Sequence, residues 1–257
     1  LTRAIDHAAG RLDPARYAVA VYSIDCGEPA EWSDTQVPHA RLSPRGNLGF
    51  GGGMNALMES AFADPRTGWF LCHNPDGLPH RDLFAELIRW AERYADGLVE
   101  ARQFPEEHPK PYHPDTGQTL WASGACLLIP RAVYAAIGGF DPNIFMYMED
   151  VDFSWRAAAA GFSIRVAPRA LFAHSVLDRA PCERVAGWYY ASARYLAYKW
   201  GFTERQEFYE SVIRERKYQT ALPPLPPLVA RESVPPADRS PATFEYGFPF
   251  APVRWGG

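Results

Sequence analysis

Apolar and polar residues follow two rhythms along this chain, and the rhythms alternate. Residues 2–12 carry Ala, Ile and Leu at helical spacing. Residues 17–24 (YAVAVYSI) form a β-branched and aromatic run that reads as a buried strand and ends at Asp25-Cys26-Gly27. A short strand is expected over 40–42, then the glycine-rich stretch 47–55 (NLGFGGGMN) leading into a helix over 56–62. A second strand, 68–72 (GWFLC), stops at the turn His73-Asn74-Pro75-Asp76-Gly77. Residues 82–94 place Leu83, Phe84, Leu87, Ile88 and Trp90 on a helical period, and 97–103 reads as a strand. A Pro- and His-rich loop over 104–117 is long enough to belong to a site. Strand 122–129, helix 131–137 and the breaker Gly138-Gly139-Phe140-Asp141-Pro142 follow. A helix opens on Glu149-Asp150-Val151-Asp152 and is stopped by Gly161. Strands are expected at 162–166 and 171–174, and an aromatic helix at 184–200.

Strands alternating with helices, each strand ending in a polar or glycine-rich loop, predict an α/β fold. Its central sheet should be mostly parallel, flanked by helices, with ligands held at the carboxyl edge. The organisation expected is a catalytic domain over 1–202 and a helical extension with a Pro-rich tail over 203–257. Composition narrows the function. A net charge of −4 and no basic cluster with interleaved aromatics argue against a nucleic-acid partner. No apolar stretch approaches the ~20 residues that span a bilayer, so no transmembrane segment is expected, while association with a membrane surface stays open. Cys26, Cys72, Cys126 and Cys182 make no CxxC pair and read as reduced thiols of a cytoplasmic protein.

Three segments carry candidate chemistry. Asp76, on a tight turn after a short strand, could hold a divalent cation otherwise coordinated by water and diphosphate oxygens; an ordinary Asn-Pro-Asp-Gly turn has the same composition. Glu149, Asp150 and Asp152 suit the first turn of any helix, and Asp152 can pair with Arg156 four residues on. Crowded carboxylates also raise one another's pKa, which suits a general base. The glycines of 47–55 would let backbone N–H groups approach a phosphate.

Taken in order, NLGFGGGMN, HNPDG, the segment SGACLLIPRAVYAAIGGFDPNIFMYMEDVDFSWRAAAAGF over 123–162, and His174 resemble glycosyltransferase family 2, in particular its rhamnosyltransferase and galactofuranosyltransferase-like branch. The resemblance implies a GT-A fold, a nucleotide-diphosphate sugar donor, a divalent cation (Mn or Mg) and inversion at the anomeric carbon. Asp150 falls on the catalytic base of the family's ED signature. Asp76 stands at the metal-binding position of the DxD motif, where Asn74 replaces the first Asp, and His174 would complete the metal site. Asp25, Asn47, Gly51, Asn55, Asn74 and Gly124 would bind the nucleotide sugar, and Glu149 and Trp121 would lie on the acceptor side. The acceptor implied is a glycan or lipid-linked glycan of a cell-surface polysaccharide, met in the cytoplasm or at the inner face of the membrane. The family's first nucleotide-binding strand is not legible at the start of the chain. The alternative is a glycosyltransferase-like binding or scaffold domain without activity.

Overall fold

The computed structural model describes residues 1–27, 35–43, 46–95, 97–108, 110–176, 182–218, 222 and 224–227. Helix α1 (Thr2–Ala9) leads to β1 (Val21–Ile24), which pairs in parallel with β2 (His39–Leu42) as a separate two-stranded sheet. Then come α2 (Gly49–Phe62), β3 (Trp69–His73), β4 (Leu78–Pro79), α3 (Leu83–Arg93) and β5 (Gly97–Phe104). The chain continues through β6 (Cys126–Pro130), α4 (Arg131–Ile137), α5 (Glu149–Ala159), β7 (Ser163–Ala173), α6 (Glu183–Lys199) and α7 (Thr203–Arg216).

Five strands form the main sheet in the order β3-β6-β5-β7-β4. Apolar side chains fill both faces. Leu83, Leu87 and Trp90 of α3 pack with Val99, Leu128 and Phe172 on one side. On the other, Leu57, Met58 and Phe62 of α2, Val133 of α4 and Phe153 of α5 pack with Phe70, Leu98, Leu127 and Ile164. The adjacent residues Leu98 and Val99, and Leu127 and Leu128, go to opposite clusters, as strand alternation requires. The result is an α/β sheet covered on both faces.

Strand direction departs from the mostly parallel sheet expected. Among the described residues of the main sheet only β5 and β7 pair in parallel; β6 runs antiparallel to both β3 and β5, and β4 antiparallel to β7. The reason is the loop after β5, which leaves and re-enters the sheet at one edge, so β6 must run back. That edge collects the carboxyl ends of β3, β5 and β7 and the start of β6. A second difference concerns β7. Two strands were expected around Pro168, but the chain is one strand with a register shift: Ala101 faces Ala167 while Arg102 faces Leu171, so the extra residues bulge out.

The glycine run also differs from expectation. Its glycines lie inside α2 rather than in a loop before it. Gly49 has φ +70°, and a Cβ there would strike the Phe145 carbonyl. A Cβ at Gly51 would lie 3.1 Å from that of Phe140. Close approach of α2 to the 140–149 segment outweighs the poor helix propensity of glycine.

Helix α6 is fastened to the body by charge. Asp141 accepts from Tyr195 Oη at 2.9 Å and Lys199 Nζ at 2.8 Å. Buried Asp152 accepts from Arg156 at 2.8 Å and from Trp200 Nε1 at 3.0 Å, with Lys199 Nζ at 2.8 Å. The i,i+4 pairing expected for Asp152 is therefore present. Arg194 of α6 reaches Glu210 of α7 at 2.8 Å, and Tyr209 joins the cluster of Trp155 and Trp200, so the helical part of the 203–257 extension is docked. Most of its Pro-rich tail lies outside the described residues.

Candidate active site

The first group of site residues gathers where β3 and β7 end. Asp76, on the turn after β3, lies 3.2 Å from His174 Nε2; its side chain is 50% exposed while that of His174 is 4% exposed. The other ring nitrogen, Nδ1, meets Gln103 Oε1 of β5 at 2.8 Å. An amide oxygen can only accept, so Nδ1 carries the hydrogen and the second ring nitrogen, Nε2, is the one that faces the Asp76 carboxylate. Behind this pair, His73 stands edge-on to Phe172 at 4.9 Å. Burial pushes His73 down to about 4, which keeps it neutral.

The second group is built on the first turn of α5. The residues that precede it, Tyr147 and Met148, both have φ of 67°, left-handed and costing about 1–2 kcal/mol each for non-glycine residues. Neighbours hold them there. Ser192 donates to the Met146 carbonyl at 2.7 Å, and the Tyr147 ring meets Tyr189 at 6.0 Å. This sharp entry sets Asp150 against the segment 121–125, while Glu149 lies beside Gly51 of α2. Asp150 Oδ2 accepts from Gly124 N at 2.9 Å, and Ser154 Oγ accepts from Ala122 N at 3.0 Å. Side chains four apart on a helix and N–H groups two apart on an extended chain share a spacing of roughly 6 Å, which allows both rungs. Gly124 admits no side chain, since a Cβ there would lie 2.8 Å from the Phe50 ring.

Electrostatics separates the two acids of this group from an ordinary surface pair. Burial, and then the neighbouring Asp150 charge, push the Glu149 carboxyl well above the usual carboxylate range. Its Oε2 is buried with no hydrogen-bond partner among the described residues. Burial raises Asp150 too, and the Gly124 N–H and the Lys110 charge draw it back.

The two groups adjoin. Asn74 N donates to the Ala125 carbonyl at 2.8 Å, which sets the Asn-Pro-Asp turn beside the segment that holds Asp150. Trp121, expected on the acceptor side, is buried with Met148, Val151 and Trp155 and forms a floor rather than an open wall. Asn47 accepts from Gly49 N at 3.0 Å, and Phe50 N donates to the Phe145 carbonyl at 3.1 Å. The first N–H groups of α2 are thus engaged within the protein. Asn55 is engaged as well: it donates to the Phe140 carbonyl at 2.8 Å and accepts from Phe140 N at 2.7 Å. Asp25, after β1, pairs with Arg41 of β2.

Sequence reasoning missed Glu100, Gln103 and Lys110. Glu100 and Gln103 carry a usable signal, as polar residues in a strand, GLVEARQF, that is buried for most of its length; Lys110 carries none, because a lysine in a polar loop reads as a surface residue.

Comparison with known proteins follows the same lines. The profile of the family described as Glycosyltransferase like family 2 matches residues 72–208. The N-acetylglucosaminyl-diphospho-decaprenol L-rhamnosyltransferase of Mycobacterium tuberculosis is 32% identical over 161 residues, 58% of this chain and 49% of that protein. The chain thus spans about half the length of the curated relatives it matches. Among solved structures, GalNAc-T7 with UDP, GalNAc and Mn2+ superposes with a TM-score of 0.52 at 10% identity, covering 85% of this chain and 55% of that one. TarS of S. aureus gives 0.50 at 12% identity, covering 78% and 36%. These two likenesses show a shared fold.

Proposed function

This chain belongs to glycosyltransferase-like family 2, and on that premise we propose that it moves a sugar from a nucleoside diphosphate to a glycan hydroxyl with inversion. The observation that supports this best is the Asn74–Ala125 hydrogen bond, which brings a half-exposed acid–imidazole pair beside a carboxylate with a raised pKa. Asp150 accepts the proton of the acceptor hydroxyl as that oxygen attacks the anomeric carbon, and the nucleoside diphosphate leaves from the opposite face. A single displacement inverts the carbon. Asp76 and His174 would hold a divalent cation, Mn2+ or Mg2+, which when bound offsets charge on the departing diphosphate. Among the described residues no cluster of three His, Cys, Asp or Glu forms, yet two protein ligands suffice where diphosphate oxygens and water complete the shell. Gln103 fixes the tautomer and orientation of His174.

Asp25, Asn74, Gly124 and the head of α2 with Asn47 and Gly51 would shape the donor pocket. Asn55 would act by holding the Phe140 backbone, and Glu149 and Trp121 would form the acceptor side. The likeness to the mycobacterial rhamnosyltransferase favours L-rhamnose as the sugar and an N-acetylglucosaminyl-diphospho-prenol as the acceptor, with a galactofuranose-like sugar as the alternative. A lipid-linked acceptor would place the reaction at the inner face of a membrane, although no described helix is long and apolar enough to cross one.

The test is to incubate the intact protein with UDP-, GDP- and dTDP-linked sugars, rhamnose included, and a synthetic N-acetylglucosaminyl-diphospho-prenol, with Mn2+, Mg2+ or a chelator. Mass spectrometry should show one added sugar, NMR should show an inverted anomeric centre, and the chelator should abolish the product. No glycosylated product from folded protein across the panel would overturn the reading.

A further inference from the structure

Between β5 and the proposed base lies a buried ion pair for which transfer chemistry has no task. Glu100 of β5 and Lys110 of the following loop are both buried, and their charged ends meet. Burial favours the neutral form of each; their mutual attraction opposes it first, helped by the Ser123 backbone N–H on Glu100 and by the Asp150 and Glu107 charges on Lys110. Two apolar side chains in this place would avoid that cost, so stability does not explain the pair.

Its contacts point elsewhere. Lys110 Nζ also donates to the Trp121 carbonyl at 2.7 Å and lies 4.0 Å from the centre of the Trp121 ring. Trp121 opens the segment whose next N–H groups, at Ala122 and Gly124, bond to Ser154 and Asp150. Lys110 therefore grips one end of the strip that α5 grips along its length. Its charge also reaches Asp150 directly.

We propose that Lys110 is a positioning residue for the transfer reaction: it fixes the 121–124 segment against Asp150 and places a buried positive charge beside that carboxylate. The inference rests on Asp150 being the base. The other charged or titratable groups that face Asp150 are Glu149 on its own helix, Glu100 from β5 and Cys72 from β3; Phe50 of α2, against Gly124, is neutral. Glu100 acts on Asp150 in the opposite sense to Lys110. Both Lys110→Met and Glu100→Gln remove the charge–charge contact of the pair, and Lys110→Met also removes the donor to the Trp121 carbonyl, so the direction in which the Asp150 midpoint moves, not the size of a stability loss, separates charge from packing. A role through charge sends them opposite ways.

The experiment is a carbon-13 NMR titration of the Asp carboxyls in the intact protein, with the Asp150 signal assigned by its loss in Asp150→Asn. Lys110→Met should raise the Asp150 midpoint by about one pH unit, and Glu100→Gln should lower it or leave it in place. If Lys110→Met does not fold, Glu100→Gln is compared with the double variant Glu100→Gln/Lys110→Met, which should titrate higher. Equal midpoints in that comparison, or the two single variants moving Asp150 the same way, would overturn the proposal. Transfer assays keep the two ideas apart: activity surviving in Asp150→Asn defeats the base assignment, whereas a dead Asp150→Asn with an unmoved midpoint in Lys110→Met defeats only the role of Lys110.

Discussion

The proposed cation end of the site and the proposed base end each centre on a carboxylate, yet they are built in opposite ways. Asp76 sits on a turn, half in solvent, and faces a buried imidazole oriented from behind by Gln103. Asp150 sits on the first turn of a helix, where burial raises its pKa and backbone N–H groups steady it. An open carboxylate can exchange water for an ion and for phosphate oxygens; a sheltered one holds a proton more readily and suits a base. The difference shows that the residue type does not set the task, and that depth and partners do.

Substitutions can break this contrast end by end. The largest effect is expected from Asp150→Asn, which should lower kcat by roughly 10²–10⁴-fold while a nucleoside diphosphate still binds, as read by turnover and by calorimetry. Asp76→Asn should next raise the Mn2+ concentration for half-maximal rate, by more than the ~100-fold that loss of an outer partner costs at most. Gln103→Leu, which frees the His174 ring to turn, should raise the same concentration by about 10–100-fold and leave the acidic limb of the pH profile in place.

The smallest effect is one of stability and has the opposite sign to the loss of rate. A raised folded pKa means that the native state binds the Asp150 proton more tightly than the unfolded chain does. Asp150 therefore costs stability as pH rises above the unfolded value of about 3.9 and through the raised one. Asp150→Asn should melt higher than the wild type at pH 7, and the gap should close below about pH 4. A variant that melts lower at pH 7 would place the carboxylate among the stabilising groups instead.

Elements with local punctuation were legible in the sequence. Helix α4 runs from Arg131 to Ile137 as its pattern indicated, and α5 ends next to Gly161, whose φ is +89°. Motif order singled out Asp76, Asp150 and His174, and the structure brings Asp76 and His174 to one edge beside the Asp150 segment. What was not legible depends on distant neighbours. Glycines 49 and 51 read as loop until Phe145, Phe140 and Glu149 press on them. The direction of β6 is set by where a loop returns, which periodicity does not record. Lys110 reads as a surface cation because its partner carboxylate comes from β5 and its aromatic neighbour from further along the loop.

Strand β5 supports both ends of the site at once. Gln103 orients His174, and Glu100, through Lys110 and Trp121, reaches the segment that holds Asp150. The bulge opposite places all its extra residues on β7, so the spacing along β5 is unbroken. Three residues at roughly 3.3 Å each make a rigid ruler of about 10 Å between the two supports. A one-residue insertion between Glu100 and Gln103 would turn one of them to the other face of the sheet and so remove one support while leaving Asp76, His174 and Asp150 unchanged.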